Sequence, residues 1–258
     1  MGDFLDVLAR DARKTVEEGF YDEVRCVPAE RLSLEEAILS CTKAAIISEV
    51  KPASPSQGVL DKGRRPAELA REMEEGGAVG ISVLTEPKHF HGSVSALVEV
   101  RRAVKVPVLM KDIVVSPVQI DAAFKAGANT VLLIYPVFER GYCDEKLEDM
   151  IEYAHSRGLE VLLEVHSKNE FISALGYDAD MIGVNNRDLR TLKVDLDVTR
   201  KVLSGYTGSR IIVSESGIRS PEDVRFLYSC GARAFLVGTS IMTAASVRDK
   251  VRELVEAL

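Results

Sequence analysis

The feature that most constrains this chain is a succession of short apolar runs set between amphipathic stretches. The runs are AAIISEV (44–50), VGISVL (79–84), VPVLMK (106–111), NTVLLIY (129–135), EVLLEV (160–165), MIGV (181–184), RIIVSE (210–215) and RAFLVG (233–238). Each is almost continuously apolar, as parallel strands covered on both faces must be. The stretches between them carry helix punctuation. Ser116-Pro117 and Ser220-Pro221 open two of them, and Gly127 and Gly231 close them. Eight strand–helix units in 258 residues match a (β/α)8 barrel, for which ~250 residues is usual. An open doubly wound sheet is the rival architecture. It lacks support, because no strand is followed by GxGxxG and the chain has no GxxxxGK[ST].

Residues 1–43 precede the first run and read as two further helices, over 3–18 and 33–42. Ser33 with Glu36 predicts a capping box for the second. No Pro/Gly/Ser-rich linker divides the chain, so one domain is expected over 1–258, with 1–43 as a helical extension.

Composition excludes several classes. Lys+Arg 33 against Asp+Glu 40 gives a net charge of −7, and the basic residues are spread evenly. Bulk nucleic-acid binding needs clustered cations, so it is not expected. No apolar run approaches the ~20 residues of a membrane span. The opening MGDFLDVLARDARK lacks the apolar core of a signal peptide. Cys26, Cys41, Cys143 and Cys230 are scattered without a CxxC, which speaks for a reducing cytoplasm and against a disulfide framework or zinc site.

In a barrel the active site lies at the C-terminal ends of the strands, so polar residues there are the informative exceptions. Glu49 and Lys51 end the first run, spaced by two and therefore on one face. Lys111 ends the third run, Glu164 lies near the end of the fifth, Asn185 follows the sixth and Glu215 ends the seventh. If all point inward, two lysines and up to three carboxylates meet at one mouth and can supply acid and base together. Ser216-Gly217 and Gly238-Thr239 follow strands seven and eight, where barrels usually hold phosphate. The segment from Lys51 to Gly58 carries two prolines and hydroxyls, and reads as a lid or anion clamp.

Other candidates are weaker. His89 and His91 could face one metal but lack a third ligand, so no metal is expected. His166 is expected to face outward or into the following loop, and His155 to face solvent. No serine sits in a GxSxG elbow. Two inward lysines leave a Schiff-base aldolase open, as well as a phosphosugar isomerase or a non-catalytic phosphosugar-binding subunit.

Seven ordered segments carry a family resemblance: SEVKPASPSQG (48–58), SVLTEPKHFHGS (82–93), PVLMKDI (107–113), LLEVH (162–166), GVNNRDL (183–189), VSESGI (213–218) and FLVGTSIM (235–242). Together they resemble indole-3-glycerol-phosphate synthase, a (β/α)8 family of tryptophan biosynthesis that also has a helical N-terminal extension. The resemblance implies ring closure, decarboxylation and dehydration of 1-(o-carboxyphenylamino)-1-deoxyribulose 5-phosphate to indole-3-glycerol phosphate. It implies Lys111 as general acid, Glu164 as the catalytic glutamate, and Lys51 with its partner Glu49 at the substrate. It further implies Asn185, Arg187, Glu215 and Ser216 lining the site, Phe90 as an aromatic wall, and Ser54, Gly217, Gly238 and Thr239 as substrate or phosphate contacts. No redox step occurs, so no cofactor is implied. Other tryptophan-pathway enzymes could be partners. Three places depart: Ile113 stands where the family commonly has Phe, Thr239 where Ser is common, with the hydroxyl kept, and Tyr135-Pro136 after the fourth strand has no clear counterpart.

Overall fold

The computed structural model describes residues 3–28, 30–54, 58–60 and 63–258. The eight apolar runs form the strands β1 (Ala45–Val50), β2 (Gly80–Leu84), β3 (Val108–Lys111), β4 (Thr130–Ile134), β5 (Glu160–Val165), β6 (Met181–Asn185), β7 (Ile211–Glu215) and β8 (Ala234–Val237). All pair in parallel, and β1 meets both β2 and β8, which closes the barrel. Side chains alternate between two apolar layers. Ala45 and Ile47 of β1 pack inside with Leu109, Leu132, Leu162, Met181, Val213 and Leu236. Ile46 and Val50 pack outward with Met110, Leu163, Ile182 and the ring of helices. This period of two decides which polar residues can reach the mouth.

The strand bounds follow the apolar runs with small trims. Tyr135 is not the last residue of β4 but the first of a short helix, Tyr135–Glu139, because Pro136 suits a first turn and not a ladder. Asn185 belongs to β6 itself, paired opposite Glu215. The segment after β1 is partly ordered as a ladder: Ala53–Ser54 runs antiparallel to Gly58–Val59. Residues 55–57 and the Ser54 side chain lie outside the described residues, and with them the expected lid.

Both expected N-terminal helices form. Helix α1 (Phe4–Glu17) starts at a reciprocal capping box between Asp3 and Asp6. Its buried face of Leu5, Leu8, Ala9 and Ala12 joins the interior layer over the C-terminal ends of the strands. A helix of 14 residues is marginal alone. Burying Leu5 and Leu8 contributes about 1.5–3 kcal/mol each, so docking is what holds it. Helix α2 (Leu34–Leu39) lies under the opposite end. Only half of its expected box forms, with Ser33 Oγ accepting the Glu36 N–H at 2.9 Å. The remaining cap comes from the barrel: Glu160 accepts the N–H of Leu34 at 2.8 Å and of Glu35 at 3.3 Å. Leu34 plugs the floor, where a Cβ on Gly80 would come within 2.6 Å of its Cδ1.

Candidate active site

Glu49, Lys111, Glu164, Asn185 and Glu215 all occupy the inward parity of their strands, and the barrel brings them together. Lys111 Nζ lies 2.6 Å from Glu215 Oε2, 3.6 Å from Glu49 Oε2 and 4.0 Å from Glu164 Oε2. Lys51 Nζ donates to Glu49 Oε1 at 3.0 Å, so a second ammonium closes the ring of charge. Asn185 Nδ2 donates to Glu164 Oε1 at 3.0 Å. All three carboxylates are buried.

Charges so placed cannot titrate independently. Burial opposes the charge on Lys111, yet Glu215, Glu49 and Glu164 outweigh it and push its pKa above the ordinary lysine range. Burial would likewise raise Glu49, but Lys51 and Lys111 hold it below its usual value. The other two carboxylates part company. Glu164 is lowered against its burial by His166, Lys111 and Asn185, whereas desolvation and the neighbouring Glu164 and Glu49 leave Glu215 raised despite Lys111. Such separation lets one carboxyl serve as a base while another keeps its proton.

Two lobes open from this cluster, and both are bounded by Glu49, Lys51, Lys111, Arg187 and Ser216. One, of about 90 Å³, is walled by Leu84, Phe90, Ile113, Leu132, Ile134 and Leu189, with Phe4, Leu5 and Leu8 of α1 above it. Lys51 Nζ stands 5.9 Å from the centre of the Phe90 ring. Ile113 thus supplies an apolar surface where the family commonly has an aromatic one. The other lobe, of about 560 Å³, is polar and is bounded by Gly217, Gly238, Thr239, Arg219 and Lys250. Its backbone is built for close approach. Ser216 and Gly217 are consecutive left-handed residues, with φ of 67° and 90°, and a Cβ on Gly217 would collide with Val194 Cγ1. A Cβ on Gly238 would come within 2.5 Å of Glu49 Oε1, so a side chain there would strike the carboxylate as well as narrow the lobe.

The expected site residues other than Ser54, whose side chain is outside the described residues, border one or both lobes or, like Glu215, the charge cluster between them. The histidines differ from expectation. His166 is not turned outward: it follows the inward parity of Glu164, and its Nε2 lies 3.1 Å from Glu164 Oε1. His155 is tied to Asp180 at 2.9 Å instead of standing free in solvent. His89 faces Asp11 of α1 at 2.9 Å.

Several residues that shape the site escaped the sequence reading. Glu86, 2% exposed, accepts the N–H groups of Lys88, His89 and Phe90 at 2.7–2.9 Å and so fixes the loop that presents Phe90. Asp112 accepts from Tyr21 Oη at 2.9 Å and from the Thr85 hydroxyl, and burial raises its pKa to about 6. Gly183 left the clearest signal, since a glycine inside a strand often marks a close approach. A Cβ there would collide with Glu215 Oε1. Gly183→Ala is therefore expected to lower stability by about 1–3 kcal/mol through overpacking, and to slow turnover by displacing Glu215 from Lys111. Thermal unfolding and steady-state rates check this, and a variant matching the parent in both would refute it.

The fold and site together define a (β/α)8-barrel enzyme whose buried carboxylates and lysines meet at the C-terminal mouth of the barrel. Comparison with known proteins narrows the class. The indole-3-glycerol phosphate synthase family profile matches residues 5–254, and the chain belongs to that family. It is 46% identical to the indole-3-glycerol phosphate synthase of Halobacterium salinarum, over 90% of each chain. It is 42% identical to that of Mycolicibacterium vanbaalenii, covering 98% of this chain and 90% of the relative. To the Methanocaldococcus jannaschii synthase it is also 42% identical, covering 87% of this chain and 84% of the relative. Among solved structures, the thiamine phosphate pyrophosphorylase of Pyrococcus furiosus superposes with a TM-score of 0.62 at 19% identity, covering 87% of this chain and 97% of that one. That likeness concerns the barrel alone.

Proposed function

We propose that the chain converts 1-(o-carboxyphenylamino)-1-deoxyribulose 5-phosphate into indole-3-glycerol phosphate, carbon dioxide and water, and that the charge cluster between the two lobes carries the chemistry. The single observation that supports this most is the pairing of an apolar lobe with a polar one across Lys111. The substrate has the same polarity: an aryl ring at one end, a phosphate at the other, and a ketone between them. The ring packs against Phe90, Ile113 and Leu132. The phosphate meets the Gly217, Gly238 and Thr239 backbone, with Arg219 and Lys250 nearby. A substrate with about three negative charges at neutral pH needs local cations in a protein of net charge −7. Lys51, Lys111 and Arg187 provide them.

In the first step the aryl carbon attacks the ketone carbon, and Lys111 delivers a proton to the ketone oxygen as negative charge develops there. Loss of carbon dioxide restores the aromatic ring. The new hydroxyl then leaves as water with help from an ammonium, and Glu164 removes the proton whose loss completes the indole. A Schiff-base aldolase would need an unprotonated lysine. The three carboxylates around Lys111 oppose that by holding its ammonium ionised.

The N-terminal extension and barrel act as one unit in this reading, because α1 roofs the apolar lobe. Among the described residues, no helix is long and apolar enough to cross a membrane. Cytoplasmic residence is proposed because the four cysteines stand free. Adding the carboxyphenylamino-deoxyribulose phosphate to the purified protein is expected to produce indole fluorescence at a rate proportional to enzyme. No indole formation by folded protein would overturn the assignment.

A further inference from the structure

A largely buried imidazole stands behind Glu164, close enough for charge to matter. His166 Nε2 lies 3.1 Å from Glu164 Oε1, and His166 Nδ1 lies 3.7 Å from Glu170 Oε2. The ring is only 12% exposed, and Glu170 is fixed in turn by accepting the His166 backbone N–H at 2.7 Å. A carboxylate–imidazole–carboxylate row therefore runs from the barrel interior to an outer cavity of about 330 Å³. Around that cavity Asp3 pairs with Arg140 at 2.7 Å, Asp188 accepts the Arg190 backbone N–H at 2.7 Å, Arg187 donates to the Leu192 carbonyl at 3.0 Å, and Arg190 itself also borders it.

The charge inventory inside the barrel shows why this matters. Three carboxylates, Glu49, Glu164 and Glu215, face two ammonium groups. Lys51 serves Glu49 at 3.0 Å, and Lys111 lies 2.6 Å from Glu215 but 4.0 Å from Glu164. The lysines thus serve Glu164 least, and it is the carboxylate against His166. Glu215 Oε1 is buried with no hydrogen-bond partner among the described residues.

We propose that His166 is a positioning residue that settles which of Glu164 and Glu215 stays ionised: its imidazolium holds Glu164 as the carboxylate and leaves the proton of the cluster on Glu215. This rests on Glu164 being the base. Two buried carboxyls that share one ammonium compete for a proton, and neither is reliably basic until something distinguishes them. Here the distinction is the imidazolium beside Glu164. The titration tendencies run the same way. Burial alone would lower His166, but Glu164 and Glu170 push it up to about 9, so it stays cationic through neutral pH. Glu164 is correspondingly lowered and Glu215 raised.

The test combines one spectroscopic and one kinetic measurement on the full chain. Histidine-selective ¹⁵N labelling is expected to show His166 protonated on both ring nitrogens at pH 7.5; a neutral tautomer there overturns the proposal. His166→Gln keeps an N–H donor toward Glu164 but removes the charge. An opposite charge at this range shifts a carboxyl by about 1–3 pKa units, so the acidic midpoint of kcat should rise by that amount, with the rate retained above the new midpoint. A merely structural role would lower kcat equally at all pH values, which also overturns it. Should His166→Gln not fold, Glu170→Gln removes the outer carboxylate and should shift the midpoint the same way by less; an unshifted profile counts against the proposal. Glu164→Gln separates the two levels of failure. If it is inactive while the His166→Gln profile matches the parent, only the role of His166 fails; if it remains active, the base assignment falls and takes this inference with it.

Discussion

Replacing Lys111 with arginine is expected to leave a folded protein whose kcat is lower by about 10²–10⁴-fold, the usual contribution of a general acid. Guanidinium keeps the positive charge among Glu49, Glu164 and Glu215 but starts from a higher pKa than an ammonium, so the same carboxylates leave it the far poorer proton donor. Lys111→Ala should slow turnover at least as much and also weaken the fold. It leaves three buried carboxylates, at 2.6, 3.6 and 4.0 Å from the vanished ammonium. Removing one partner of a buried ion pair typically costs about 3–5 kcal/mol. Comparing the variants separates proton donation from charge balance. A nearly active Lys111→Arg would show the lysine to be an electrostatic clamp, and the general-acid assignment would be wrong.

Glu164→Gln should lower kcat by a similar ~10²–10⁴-fold, with KM changed little. The amide is nearly isosteric and can still meet Asn185, which donates to Oε1 at 3.0 Å in the parent. It cannot take a proton. Phosphate and ring are held by other groups, so substrate should still bind, and single-turnover measurements ought to show binding without indole formation. A variant retaining more than a tenth of the parental kcat would place the base elsewhere.

The barrel and much of its charge cluster were legible because both follow from one period. Strands covered on both faces must be apolar, so Lys111, Glu164 and Glu215 stood out as exceptions, and spacing by two put Glu49 and Lys51 on one face. The same arithmetic places His166 beside Glu164. Reading it as the start of a loop gave local punctuation precedence over parity, which continues one step past β5. What stayed hidden depends on which distant surfaces meet. The pattern of α1 shows a buried face but not that Leu5 and Leu8 would roof the apolar lobe. Glu160 looks like an unremarkable strand start until α2 docks beneath it and uses it as a cap. Arg219 and Lys250 reach the polar lobe only because barrel closure brings the last strands back to the first.

The two N-terminal helices span the barrel from rim to floor, and this sets the order in which the chain can mature. Arg140 grips Asp3 across 137 positions of sequence, and Glu160 caps α2 across 126. Contacts of such long sequence separation close slowly. The two helices should therefore be among the last parts of the fold to dock. Until they do, a nearly finished barrel would stand open at both ends, with its interior leucines wet and its mouth carboxylates unroofed. Activity should consequently appear late in refolding, after most helical signal has returned, and its onset should track the docking of α1.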